Sequence, residues 1–492
     1  MSRPSPALVL ALVAPLTLSL AACAEEAADG APDVASSTAD SAPDVAPDTG
    51  PIADPLPEVL GHPVAVDLDP DPRVVAVELT AGLIEREIAG VPLTLYAYNG
   101  VVPGPLIQAR VGDEVVVRFK NELPEATTIH WHGLRISDLM DGSPRMQAPV
   151  EPGGTFEYRF TVPDAGSFWY HPHVRGNEQI EKGLQGPLVV HEADDPAIDA
   201  DRFVVLDDML LADDGMPPFL SGHMELMHGR TGNVLLTDGV AEALSMTSAV
   251  GRVERWRLVN TANARTMTLS IEGAAWRVVG TDGGLIAAPY APARLEVAVG
   301  QRYDLEVTFA AEGTARLLSH VLTLDDDNEV EELAIPVVEV AVEPSDAAPT
   351  IASWPAVAPL PVREPGRYLT VVLAARSGAG GELEWTINGH AHSDHWLFQA
   401  TQGDTLAIIY SNTAGPEHPF HLHGQFFEIV ARDGVPVTDE PGLKDTVLVH
   451  GMEQVEIKAY LDNPGQWMAH CHILEHMELG MMADFEVAPA SE

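Results

Sequence analysis

Apolar and polar positions alternate along this chain in short runs. From Val74 to Thr80 and again from Glu114 to Lys120, β-branched residues dominate, and Gly, Pro or Asn-Gly punctuates the segments between such runs. A period of two over a few residues, closed by turn formers, predicts strands with one or both faces buried. A weak internal repeat orders these strands. Asn99-Gly100 precedes Asn121 by the interval at which Asp238-Gly239 precedes Asn260, and Asn388-Gly389 precedes Asn412 with a slightly longer gap. Three copies of one unit are implied. The 492 residues allow three domains of about 150 residues each, expected at 61–195, 196–345 and 346–492.

Composition agrees with an all-β chain, because Gly 41 and Pro 40 suggest many turns and short strands. It also separates off the N-terminus. Residues 1–23 carry Arg3, an apolar stretch from Ala7 to Leu20 and small residues running into Cys23, interrupted by Pro15. That pattern reads as an export signal rather than a spanning helix. Leu20-Ala21-Ala22-Cys23 resembles a bacterial lipobox, so Cys23 is expected to carry lipid and to anchor an exported protein at a membrane. From Ala24 to about Leu60 the chain repeats Ala-Pro-Asp-Val-Ala and holds nine acids with no Lys or Arg. Such a stretch cannot bury a core and is expected to be a disordered tether.

Charge narrows the partners. Lys plus Arg is 27 against Asp plus Glu 73, a formal net charge of −46, which argues against nucleic acid and against docking on an anionic membrane surface. Only two cysteines exist, Cys23 and Cys471. If Cys23 is lipidated, Cys471 is a lone thiol in an oxidising compartment, and a metal is the usual reason for one.

The candidate chemistry lies in the histidines. Ten of the 19 fall in four short segments: His130-Trp131-His132, His171-Pro172-His173, His418-Pro419-Phe420-His421-Leu422-His423, and His470-Cys471-His472 with His476. A single His-x-His pair is a weak signal, but these stand at matching points of the repeat. Nine and eleven residues beyond the three asparagines lie His130 and His132, Leu269 and Ile271, and His421 and His423. Five and seven residues beyond Gly166, Gly313 and Gly465 lie His171 and His173, Leu318 and His320, and His470 and His472. Metal chemistry therefore belongs to units one and three, with His320 a structural remnant. On a strand, residues two apart share a face, so four pairs can present eight imidazoles to a multi-metal cluster. His418 and Cys471 face away from their neighbouring pairs and define a second site. With His476 and Met481 they make two imidazoles, a thiolate and a thioether, the ligand set of a blue-copper electron-transfer centre.

These motifs, in this order, resemble those of the multicopper oxidases, over roughly Val74 to Val487. The resemblance implies three cupredoxin-like Greek-key sandwiches with a trinuclear cluster between the first and third, and four coppers per chain. It implies that His418, Cys471, His476 and Met481 bind the type 1 copper. His130 and His421 would be type 2 ligands, and His132, His171, His173, His423, His470 and His472 would hold the coupled type 3 pair. Asp141, in Leu139-Met140-Asp141-Gly142, resembles the acidic proton relay of bacterial relatives, although Asp-Gly is also an ordinary turn. Those relatives often place a second acid directly after the last type 1 histidine, where this chain has Met477; Glu475 and Glu478 are nearby.

The resemblance implies an oxidase that couples one-electron oxidation of a small reductant to reduction of dioxygen to water. A simple electron carrier would need only the type 1 ligands. A copper nitrite reductase would place a type 1 cysteine in its first domain, yet no cysteine lies between Ala24 and His470. The reductant expected is a phenol or aromatic amine, with Cu(I) second. Met209, Met216, Met224 and Met227 accompany His223 and His228 in one segment and could receive Cu(I), since thioethers select it, or could fill an irregular packing space.

Overall fold

The computed structural model describes residues 56–324, 330–360, 362–392 and 395–491. The leader, Cys23 and the tether up to residue 55 lie outside them. The described residues form three β-sandwiches, each of two sheets. In the first, Val74–Ile88 is flanked by Val91–Tyr98 and Glu114–Asn121, and the facing sheet runs Ile107–Arg110, Gly186–His191, Gly166–His171, His130–His132. The third repeats this plan, with His418–Leu422 between Gly465–Cys471 and Thr446–Val449. No helix among the described residues is long and apolar enough to cross a membrane.

Each landmark of the sequence repeat does a structural job. Asn99-Gly100, Asp238-Gly239 and Asn388-Gly389 all take positive φ, at 51° and 75°, 50° and 73°, and 52° and 80°. Two successive positive φ values make the tight hairpin turn whose twist matches that of its strands. Asn121, Asn260 and Asn412 are buried and brace the loop that follows. In each, Oδ1 accepts the backbone N–H two residues on: Leu123 at 2.9 Å, Ala262 at 3.1 Å, Ala414 at 2.9 Å. Each Nδ2 then donates to a carbonyl four or five residues on and to a more distant carbonyl: Glu125 and Val150, Arg265 and Val297, Pro416 and His450. Gly166, Gly313 and Gly465 open the next strand at φ of 155°, 135° and 149°, open to glycine but seldom to other residues.

Each sandwich has its own apolar core, built by the inward positions of alternating strands. In the middle one, Leu269 and Ile271 join Trp256, Leu258 and Val338 in that core. His320 hydrogen-bonds Ser270 Oγ at 2.8 Å, the structural remnant expected of it. At the N-terminus the structure differs from the expected tether ending near Leu60. Val59 and Leu60 pair in parallel with Asp201 and Arg202, and Val59 is buried against Leu106, Trp169 and Phe203. Two apolar residues in an acidic stretch carry no period, so their pairing with a distant strand leaves no local signal.

Candidate metal centre

The histidine-bearing strands of the first and third sandwiches meet. His130 pairs with His171 across one sheet and His421 with His470 across the other. All eight imidazoles expected in the cluster are buried, and the His132 and His421 rings stack at 3.9 Å between centroids. The shared-face argument holds strictly only for His130 and His132. His173, His423 and His472 lie one residue or more past their strand ends. His173 is fixed instead by its backbone N–H donating to Thr128 Oγ1 at 3.1 Å.

Hydrogen bonds set which ring nitrogen is free. A carbonyl can only accept, so a nitrogen bonded to one carries the proton and leaves the other a lone pair. Nδ1 donates to a carbonyl in His130 (Asp141, 2.8 Å), His171 (Pro172, 3.0 Å), His421 (Asp445, 3.0 Å) and His470 (Cys471, 2.9 Å). His423 Nδ1 donates to Asp141 Oδ2 at 2.8 Å. The free Nε2 atoms of His130, His171, His173, His421 and His472 are buried without a hydrogen-bond partner. Those of His423 and His470 face each other at 3.0 Å. Buried orphan acceptors of this kind are costly, and together they form a cage for cations: His130, His132 and His421; His132, His171 and His472; and His173, His423 and His470 each bring three nitrogens within 4.8 Å of one another. Burial holds the His132, His171, His173, His470 and His472 imidazoles well below the usual range, and His423 at about 3. They are neutral, as metal ligation requires.

Asp141 lies within this cage, beside His130 and His423. Burial pushes its carboxyl up, but the two imidazoles outweigh that and hold it well below the usual carboxylate range. The Asp-Gly turn is present as well, for Gly142 has φ 81° and passes so close to the Ile129 carbonyl that a Cβ would collide. The turn delivers the carboxylate.

The second site lies on the other face of the third sandwich's strands. His418 Nδ1 and His476 Nδ1 are 3.1 Å apart, and Cys471 Sγ is 3.5 and 3.7 Å from them. These atoms enclose a point about 2 Å from each, the length of a metal–nitrogen bond. Met481 is fully buried in the same core, and its carbonyl accepts from the Cys471 N–H at 3.0 Å. Burial holds His418 at about 3 and pushes the Cys471 thiol up, so the thiol ionises only with a cation beside it. His476 Nε2 donates to the Met227 carbonyl at 3.2 Å. Met227 belongs to the short helix His223–His228, so the segment containing Met224 and Met227 covers the outer edge of this site. Met216 packs elsewhere, against Ile88, Leu93 and Met209.

Other acids surround the sites. Burial pushes Glu475 up to about 7, and it accepts from the Arg230 N–H and from Asn263 Nδ2. Glu478 is partly buried and accepts from the Gly176 N–H at 3.0 Å. A cavity of ≈ 260 Å³ reaches His173, lined in part by Arg145, Arg175, Met468, Met477 and Met482. Sequence reasoning missed Asp445, which bonds His132 Nε2 at 3.2 Å, and Trp169, whose ring lies 4.2 Å from that of His171. An acid opening the apolar run Thr446–Val449 was the one available hint.

Comparison with known proteins agrees with this geometry. Three family models described as multicopper oxidase match residues 84–195, 213–316 and 367–491. The multicopper oxidase MmcO of Mycobacterium tuberculosis is 32% identical over 453 residues, covering 83% of this chain and 86% of that one. Laccase-2 of Cryptococcus neoformans var. grubii is 29% identical, covering 85% of each. The solved multicopper oxidase of Campylobacter jejuni, described as a metallo-oxidase, superposes with a TM-score of 0.76 at 28% identity, over 88% of this chain and 96% of that one. Two buried donor sets on a triplicated sandwich, matched by relatives across most of its length, mean that the chain belongs to the multicopper oxidase family of copper-dependent oxidoreductases that use dioxygen.

Proposed function

We propose that the chain takes electrons singly from a small reductant at His476 and delivers four to dioxygen, giving two waters. The observation that carries this reading is the presence of two buried donor sets joined through one residue, Cys471, whose peptide neighbours His470 and His472 belong to the other set. In this reading four coppers are held. His418, Cys471, His476 and Met481 form the type 1 set, and His130 and His421 the type 2 set. His132, His171, His173, His423, His470 and His472 hold the type 3 pair. Copper, when bound, supplies the one-electron redox steps at each set. The cavity at His173 offers dioxygen a way in. Asp141, hydrogen-bonded within the cage, orients His130 and His423 and is the group best situated to pass protons there.

For the reductant, the geometry gives most support to Cu(I). The helix His223–His228 covers the outer edge of His476 with Met227 against the core and Met224 66% exposed, and soft thioethers on an acidic protein suit a cuprous ion. Phenols and aromatic amines, the expectation from sequence, form the second reading, to which the laccase among the relatives lends support. Visible and electron paramagnetic resonance spectra of the copper-loaded protein, with oxygen uptake on Cu(I) and on a neutral phenol, test the class. Replacing Met224 and Met227 with Leu then separates the reductants. A selective fall in the Cu(I) rate of about tenfold or more, in line with the loss of a metal-orienting group, is expected. Equal, small changes in both rates would favour the phenol reading. Export and lipid attachment at Cys23 complete the proposal on sequence grounds, and a mass spectrum of the mature N-terminus checks it.

A further inference from the structure

The middle sandwich has no histidine pairs, yet it sends one side chain to the edge of the eight-histidine cage. Arg302 follows Gly300-Gln301 at the start of the strand Arg302–Thr308 and is fully buried. Its guanidinium grips Asp445 of the third sandwich with two bonds, Nη1 to Oδ1 at 2.8 Å and Nη2 to Oδ2 at 2.5 Å. The three remaining N–H groups donate to the carbonyls of Ser167, Gly300 and Asp282 at 3.0, 3.0 and 3.1 Å. All five donors are therefore satisfied, and the planar fork has one orientation open to it. Asp282, also of the middle sandwich, fixes the same junction from the other side. Its Oδ1 accepts the Arg302 N–H at 2.7 Å, and its Oδ2 accepts the Asp445 and Thr446 N–H groups at 3.2 and 3.4 Å.

Asp445 in turn bears on two rings of the cage. Its Oδ1 accepts from His132 Nε2 at 3.2 Å, and its carbonyl accepts from His421 Nδ1 at 3.0 Å. His132 is thereby reversed relative to His130, His171, His421, His423 and His470, whose Nδ1 is tied. In His132 the tied nitrogen is Nε2, and Nδ1 is buried without a partner. A carboxylate selects that tautomer, and a carboxylate in a low-dielectric site keeps its place only if its own charge is held. Gly300 leaves the space this needs, since a Cβ there would lie 3.0 Å from both His132 Cε1 and His472 Cδ2.

We infer that Arg302 and Asp445 are positioning residues of the trinuclear centre. Through them the copper-free sandwich fixes His132 as a donor through Nδ1 and His421 as a donor through Nε2. The middle sandwich is thus a working part of the cage rather than a spacer, whatever the reductant.

The test uses the copper-loaded full chain with Arg302→Lys, Arg302→Gln and Asp445→Asn. The blue absorption of the Cys471 site serves as an internal control for folding. With that absorption intact, each variant should give up copper from the eight-histidine set to a chelator about 10- to 100-fold more readily than the parent, with an altered type 2 paramagnetic signal. Lys, which keeps the charge but not the fork, should fall between Arg and Gln. Unchanged retention and an unchanged type 2 signal would overturn the inference. So would parallel loss of the blue absorption and the type 2 signal, because that would mean the residues only hold the sandwiches together. Asp445→Asn is nearly isosteric and decides the matter if the Arg302 variants do not fold.

Discussion

The middle and third sandwiches make the same turns, the same asparagine brace and the same glycine-opened strand, and differ in what hangs from them. Where the third carries His421, His423, His470 and His472, the middle carries Leu269, Ile271, Leu318 and His320. The counterpart of Cys471, six residues beyond the opening glycine, is Ser319, buried with its hydroxyl unpartnered. Leu269 and Ile271 add to the core of their sandwich, each contributing about 1.5–3 kcal/mol of burial. The third sandwich instead puts imidazoles there and carries buried nitrogens that only a cation satisfies. Scaffold and chemistry are separable: the frame is set by asparagine, glycine and alternation, and the donors are laid on it.

The strongest way to break this comparison is to make the third sandwich resemble the middle one at a single point. Cys471→Ser installs the side chain that the middle sandwich already buries at Ser319. The fold should survive, judged by circular dichroism, while blue absorption and oxygen uptake are abolished. A variant that stayed blue would show that the thiolate is not a copper ligand.

The asparagine braces give the next largest effect. Each buried side chain makes three or more hydrogen bonds, so Asn121→Ala, Asn260→Ala and Asn412→Ala should each cost about 2–4 kcal/mol in equilibrium unfolding. The comparison sharpens in the copper count: the Asn121 and Asn412 variants should also lose copper, because the loop they brace leads into His130 and His421. The Asn260 variant should keep its copper. Equal copper loss in all three would mean that the braces act on global stability alone.

The braces also mark how far the sequence could be read. Their spacing, and that of the glycines, announced three units, and the histidines fell at fixed offsets from both. Eleven of the expected ligands, the histidines and Cys471, come together in buried donor groups, and Met481 is buried in the same core as Cys471. Illegible were contacts that depend on packing between sandwiches. Arg302 and Asp445 stand 143 residues apart, and neither has a local pattern that points to the other. The cover over His476 likewise depends on where a six-residue helix is set down. Propensity and period are local, and these contacts are not.

Buried acids extend the contrast. In the third sandwich Asp445 is held by Arg302 and His132, whereas Asp207 of the middle sandwich accepts only the Asp208 N–H, at 2.8 Å, and no cation among the described residues pairs with it. Burial, with Asp208 adding to it, pushes its carboxyl up to about 8. An acid whose folded value is raised binds a proton more tightly in the folded state, so stability falls as pH rises from about 4 towards 8. Asp207→Asn should remove that slope and raise the melting temperature at pH 7 by a few degrees, with little effect near pH 4. Differential scanning calorimetry at both pH values reads this directly, and a pH-independent shift would locate the effect in packing instead.

The smallest effect is expected where the middle sandwich still looks most like the third. His320 occupies the position equivalent to His472, but it faces Ser270 Oγ at 2.8 Å and lies 3.8 Å from Glu332, with no second imidazole in contact among the described residues. It has the residue type of a ligand without the surroundings of one. His320→Ala removes one hydrogen bond at a partly buried site, which should cost within about 1 kcal/mol, since Ser270 can turn to water. Copper per chain, the blue absorption and the type 2 signal should all be unchanged. Loss of a copper from this variant would mean that the middle sandwich holds a donor set of its own, and the division between scaffold and chemistry would then fail at the unit that defines it.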